Sequence, residues 1–191
     1  MRDLTKGSII RLMLLFSLPI LLGSLFQQAY NLVDIIIVGK KLGELSLSAV
    51  GSTTAVVSLM FNIINGLCTG FAIPVAKHYG ANDMNKVRRT VAGMITYSAI
   101  ITAVIMTLCI VFVEPLLTAL NTPAEIFEQA KLYLTIVAGG LIVTLIYNLE
   151  ANILRALGDS KTPFWFLLFS TILNILLDLF CILVLDWGVA G

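Results

Sequence analysis

Apolar positions dominate the chain in five long blocks, at about 12–38, 47–76, 91–113, 126–154 and 163–185. Each is long enough to cross the roughly 30 Å hydrocarbon layer as a helix rising about 1.5 Å per residue. The polar stretches between them carry stop signals: KKLGEL with Gly43, KHYGANDMNKVRR with Gly80 and Asn82–Asp83, EPLLTALNTPAE with Pro115 and Pro123, and RALGDSKTP with Gly158 and Pro163. Thr122–Pro123 followed by Glu125 also reads as a helix start, with proline in the first turn and acid at the positive end of the dipole. The pattern predicts an all-α protein with five transmembrane helices. Pro19 falls in the middle of the first and predicts a bend there.

Within four of the five blocks the polar residues recur at helical spacing and so share a face. On the first, Ser17, Ser24, Gln28, Asn31 and Asp34 form one stripe; on the second, Thr54, Ser58, Asn62, Asn65 and Thr69 form another. Thr144, Asn148 and Asn152 repeat on the fourth, and Ser170, Asn174 and Asp178 on the fifth. Any one amide or hydroxyl of this kind can serve as packing glue between helices, at about 0.6 kcal/mol. Matching stripes on four helices point instead to a shared polar cavity, lined by Gln28, Asn31, Ser58, Asn62, Asn65, Thr69, Asn148, Asn152 and Ser170. The third block carries only scattered hydroxyls besides Tyr97 and reads as a lipid-facing or scaffold helix. Glu150, near the end of the fourth block and five residues before Arg155, reads as one half of a local ion pair or as a snorkelling side chain.

Composition settles the class. The chain is 59% hydrophobic and 12% charged, against about 25% charged in a soluble domain, so it is an integral membrane protein. An apolar run of about 27 residues is too long for a cleaved leader and is retained as the first span. Of the twelve lysines and arginines, nine fall in the N-terminal arm and in the second and fourth loops. Lys40, Lys41 and Lys131 lie on the other side. The positive-inside rule then predicts a cytoplasmic N-terminus in the cell membrane. No basic tract points to nucleic acid, the three cysteines lie in apolar runs, and neither a metal-ligand set nor a Ser/His pair suggests an enzyme or a cofactor.

Asp34 and Asp178 are the chemically informative residues. A carboxylate at membrane depth costs roughly 2.5–3.5 kcal/mol on insertion scales, and no span offers a cation at that depth. Both fall in the same half of the bilayer, each with an asparagine one turn earlier, Asn31 and Asn174. Two such carboxylates either share a proton or take up a cation together with amide and hydroxyl oxygens. Either state is reversible, as ion-coupled transport requires.

These segments resemble a known family. PILLGSLFQQAYNLVDIIIVG, GLCTGFAIPVAKHYGANDMNKVRR and NILRALGDSKTP, followed by NILLDL and WGVAG, are similar to the N-terminal lobe of the multidrug and toxic compound extrusion (MATE) transporters. The resemblance implies two six-helix bundles and export of small, often cationic organic compounds by alternating access, driven by H+ or Na+. It also implies that the coupling proton, or an Na+ ion, is held at the positions of Asp34, Asn174 and Asp178. The family's chains continue through a sixth helix and a second lobe, whereas this one reaches Gly191. Residues 1–191 are therefore expected to be an incomplete six-helix N-lobe, partnered by lipid, substrate and a C-terminal lobe, and not transport-competent alone. A lipid-linked oligosaccharide flippase of the same superfamily would need basic residues in the cavity, which the spans lack. A non-transporting membrane interaction fragment is the remaining alternative.

Overall fold

The computed structural model describes residues 9–41 and 43–183. Among the described residues are seven helices: α1 (Ile9–Lys41), α2 (Gly43–Gly80), α3 (Met84–Val111), α4 (Val113–Ala119), α5 (Ala124–Gly139), α6 (Leu141–Ala156) and α7 (Lys161–Leu183). α2, α3 and the stretch Ile10–Ala29 of α1 are each long and apolar enough to cross a membrane, and α5 with α6 makes a fourth such unit. α7 is a further apolar helix. The chain is thus a multi-pass all-helical membrane protein. The WGVAG segment lies outside the described residues.

Two expectations need correction. The fourth block is not one straight helix: it breaks at Gly139–Gly140, and α5 and α6 meet at 40°. Adjacent glycines weaken a helix interior, since both carry the largest backbone entropy cost. The loop EPLLTALNTPAE also holds structure. Glu114 and Pro115 open the short helix α4, where an acid and a proline suit the first turn. Glu114 is paired with Lys131 of α5, which holds its carboxyl below the usual range.

The remaining punctuation fits the sequence. Asn82 takes a left-handed conformation after α2, and Asp83 caps α3 by accepting from the Lys86 amide at 3.1 Å. At the α6–α7 turn Gly158 is left-handed (φ 87°). There the Gly158 amide donates to Arg155 O and the Asp159 amide to Leu154 O, closing α6 with a Schellman motif. The Asp159 carboxylate then accepts from the Lys161 and Thr162 amides at 3.0 and 3.1 Å and from the Thr162 hydroxyl at 2.7 Å. One aspartate thereby starts α7.

The core lies among α2 to α6. Ala130, Leu134 and Ala138 on α5, Leu141, Leu145 and Leu149 on α6, and Met60, Ile64 and Cys68 on α2 are all buried, each set at every fourth position. Small residues such as Ala49, Ala130 and Ala138 let the backbones approach, which matters where lipid supplies no hydrophobic drive between helices. α3 belongs to this core. It packs on α2, α5 and α6, with Val87, Met94, Ser98 and Thr102 buried, so it is not a helix surrounded by lipid. α1 instead packs mainly on α7, and less on α2.

Candidate functional site

The polar stripes meet the neighbouring helices in different ways. On α2, Thr54, Ser58, Asn62, Asn65 and Thr69 are exposed along one face, opposite the buried line Met60–Ile64–Cys68. Thr69 carries the one polar bridge from this stripe to another helix among the described residues. Its hydroxyl lies 3.3 Å from Asn65 Oδ1 and 3.4 Å from Asn152 Oδ1 on α6. Asn152 is buried, and its amide nitrogen donates to Asn148 O at 2.8 Å; Asn148 in turn donates to Thr144 O at 2.8 Å. Thr69, Asn65, Asn148 and Asn152 therefore form one network joining α2 to α6.

Gln28 and Asn31 are exposed on α1. Ser17 and Ser24, on the same helix, donate to the carbonyls of Leu14 and Ile20 in the preceding turn, as hydroxyls in apolar helices do when no neighbour offers a partner. Asp34 is a residue of α1 and Asp178 of α7; their side chains lie outside the described residues. Asn174 is half-buried, and its Oδ1 is enclosed with no hydrogen-bond donor among the described residues.

The two helices that carry these aspartates are neighbours. Gly23 is buried where α1 meets α7, and a Cβ placed on it would lie 3.1 Å from Leu167 Cδ2. Three residues on, the rings of Phe26 and Phe164 lie 6.2 Å apart. Here glycine serves close approach rather than a turn, because a side chain larger than a methyl would hold α7 away.

A second polar feature lies between α6 and α7. A half-open cavity of about 320 Å³ is lined on α6 by Tyr147, Glu150, Ala151 and Leu154, and on α7 by Pro163, Phe166, Phe169, Ser170 and Leu173. Ser170 thus faces this cavity. So does Glu150, and it forms no ion pair with Arg155. The reason is angular: residues five apart on a helix point about 140° away from each other. Spacing along the chain brought those two charges to notice, but phase around the helix separates them.

Ser98 and Thr102 are two of the scattered hydroxyls of the third block. Both are buried; Thr102 has no hydrogen-bond partner among the described residues, and Ser98 lies against the Cys68 thiol of α2. Thr96 and Thr107 on the same helix do bond back, to the carbonyls of Ala92 and Ala103. Four-residue spacing between Ser98 and Thr102, matching Met94 one turn earlier, is the signal that places them on the packed face.

Known proteins share this architecture. The probable multidrug resistance protein YpnP of Bacillus subtilis is 32% identical over 196 residues, covering 99% of this chain and 42% of that protein. The multidrug export protein MepA of Staphylococcus saprophyticus is 25% identical, covering 97% of this chain and 41% of its own length. A crystal structure of MATE in complex with MaD5 superposes with a TM-score of 0.92 at 28% identity, over 99% of this chain and 43% of that one. The chain spans about two fifths of the length of the proteins it matches. The MatE family model covers residues 19–180, which takes in the α1–α7 seam and the whole core, and the chain belongs to that family.

Proposed function

We propose that this chain is the N-terminal lobe of an ion-coupled exporter of small organic compounds. Asp34, Asn174 and Asp178 take up the coupling H+ or Na+. The N-terminus is cytoplasmic, and the protein works in the cell membrane together with a second lobe. One bundle rocks against the other around a shared cavity, so the lobe alone does not transport.

The observation that carries this reading is the α1–α7 seam. Asp34 lies eleven residues beyond Gly23, and Asp178 eleven residues beyond Leu167, the side chain against which Gly23 packs. Three crossings separate α1 from α7, namely α2, α3 and the α5–α6 pair, so the two helices run the same way across the bundle. Both positions then stand about 16 Å beyond the contact at about 1.5 Å per residue. Two carboxyl groups at one depth on adjoining helices compete for a single positive charge, and protonation or a metal ion resolves that competition. Asn174 adds an acceptor that has no donor among the described residues, one turn below Asp178, which suits a cation ligand better than a packing contact.

The test is transport by the full-length protein in membrane vesicles. Asp34→Asn and Asp178→Asn should each reduce H+- or Na+-driven efflux of ethidium to background while leaving the inserted protein level unchanged. Efflux at the unsubstituted rate in both variants would overturn the assignment.

A further inference from the structure

The cavity between α6 and α7 is a groove with two cations at one end. Along α7 its lining runs from Pro163 to Leu173, ten residues, or about 15 Å at about 1.5 Å per residue. That is half of the roughly 30 Å hydrocarbon layer. Ala151, Leu154, Phe166 and Phe169 make most of the remaining wall apolar. At the turn end, Arg155 follows the lining residue Leu154, and Lys161 comes two residues before the lining residue Pro163. Asp159 lies between them in sequence, but its carboxylate caps α7 by accepting from the Lys161 and Thr162 amides and the Thr162 hydroxyl. Among the described residues neither cation forms an ion pair. Lys161 is exposed. Arg155 is half-buried, and its Nε is enclosed without an acceptor among the described residues. An enclosed donor that meets no acceptor is costly, the more so on a charged group. The same end of the bundle, where α2 and α6 finish and α3 and α7 start, also carries Lys77, Arg88 and Arg89, all exposed, while Asp83 there is paired with Lys86.

We infer that this groove docks an anionic glycerophospholipid, with the phosphate at Arg155 and Lys161 and one acyl chain along α7 between Pro163 and Leu173. Charge and shape select the same occupant. A guanidinium with an unused N–H suits a phosphate oxygen, and basic side chains at the ends of membrane helices attract anionic lipid. A half-open apolar groove as long as one leaflet is thick suits a hydrocarbon chain anchored at its head. Glu150 is the one acid in the lining. It is exposed and five residues before Arg155, about 140° round α6. It therefore leaves the guanidinium unneutralised and disfavours a phosphate further from the turn. The inference stands whether or not Asp34 and Asp178 take up the coupling ion, and whichever side of the membrane this end faces.

Native mass spectrometry of the purified chain in detergent tests it, with phosphatidylglycerol or phosphatidylcholine of the same acyl chains added. Phosphatidylglycerol should bind about 25-fold more tightly, about fivefold for each of two basic residues meeting an anionic lipid. Arg155→Gln and Lys161→Gln should each remove about fivefold of that preference, whereas Arg88→Gln on α3 should leave it unchanged. Glu150→Gln should preserve or raise it. Independently of how Arg155→Gln folds, Ser170→Cys in the groove should label with a maleimide above the background of the three native cysteines. Phosphatidylglycerol should slow that labelling several-fold, and phosphatidylcholine should not. Equal affinity for the two lipids, a loss in Arg88→Gln as large as in Arg155→Gln, a loss in Glu150→Gln, or labelling indifferent to phosphatidylglycerol would each overturn the inference. Displacement of phosphatidylglycerol by inorganic phosphate would give the two cations to a soluble anion and overturn it too.

Discussion

α2 to α6 and the α1–α7 pair are built on opposite terms. In the first region every helix contributes buried residues, which on α2, α5 and α6 recur at four-residue intervals, with alanines among them that bring the backbones together. In the second, Gly23 and Pro163 are the buried positions among the described side chains, and leucines, isoleucines and phenylalanines point outward along both helices. The residues proposed to take up the coupling ion sit on the loosely held pair, not in the packed block. A rigid block with a lightly attached pair of helices is a sensible division of labour for a transporter. An element that must rearrange when a proton or metal ion arrives cannot also be locked by dense packing.

The largest test of that contrast is to remove volume from each region. Leu134 is fully buried, whereas Leu21 on α1 is 57% exposed. Leu134→Ala should cost about 2 kcal/mol or more, since surrounding helices collapse only partly onto the space left behind. Leu21→Ala should cost far less, because lipid refills its place. Unfolding of the purified chain by denaturing detergent in mixed micelles would compare the two directly, and equal shifts would dissolve the distinction.

A smaller effect comes from the seam itself. Gly23→Ala asks Leu167 Cδ2 to move by a few tenths of an ångström from the 3.1 Å contact, which the end of a flexible side chain can do. Gly23→Val adds two methyl groups at the same point. It should cost about 1–3 kcal/mol through overpacking and, in the full-length protein, depress ion-coupled efflux by separating the two aspartate-bearing helices. The same pair of substitutions at Gly66 of α2, where a Cβ would meet nothing within 4 Å, should leave efflux near its starting level.

Much of this was legible in the sequence, and the gaps have physical causes. Apolar block length gave the spans because hydrocarbon thickness dictates it, and turn chemistry at Gly43, Asn82 and Gly158 marked the breaks because backbone sterics dictate that. The bend at Gly139–Gly140 was missed because the hydrophobic pattern runs through it unbroken; only the glycine pair signals it. α3 reads from the sequence as a lipid-facing or scaffold helix because hydroxyls that bond their own helix and hydroxyls that are buried look alike in one dimension; its packing on α2, α5 and α6 fits the second of those readings. For the site, four-residue periodicity grouped Asn148 with Asn152 and found both proposed aspartates, whereas the pairing of α1 with α7 depends on packing between residues more than 130 positions apart. Of the two readings of Glu150, the ion pair with Arg155 is not formed, and the part of its surroundings that comes from α7 is invisible in one dimension.

At the α6–α7 turn, Asp159 connects the packed block to α7. Three groups donate to its carboxylate, the Thr162 hydroxyl first among them, and they hold its pKa below the ordinary aspartate range. A carboxyl lowered in the folded state stabilises fully above its unfolded pKa, and that contribution is lost as the pH falls through the lowered folded value. Asp159→Ala should therefore cost about 1 kcal/mol at neutral pH, the usual worth of a capping side chain. The difference from the unsubstituted chain should shrink in acid below the ordinary aspartate range. Detergent unfolding at neutral and acidic pH reads both effects.

The smallest expected effect concerns the bridge from Thr69 to Asn152. Their side-chain oxygens are 3.4 Å apart, at the long end of a hydrogen bond, and Asn152 is already engaged through its amide nitrogen with Asn148 O. Thr69→Val keeps the shape and removes the hydroxyl. The cost should be near the 0.6 kcal/mol average for such bonds between membrane helices, because the unfolded chain in the membrane also finds partners. Asn152→Leu removes the buried amide as well and should cost about as little, since no acceptor is left stranded except Asn148 O, which lies in its own helix. A loss of several kcal/mol in either variant would mean that the polar network, and not the apolar packing beside it, holds α2 to α6, and the division between a packed block and a more exposed pair would have to be redrawn around the asparagines.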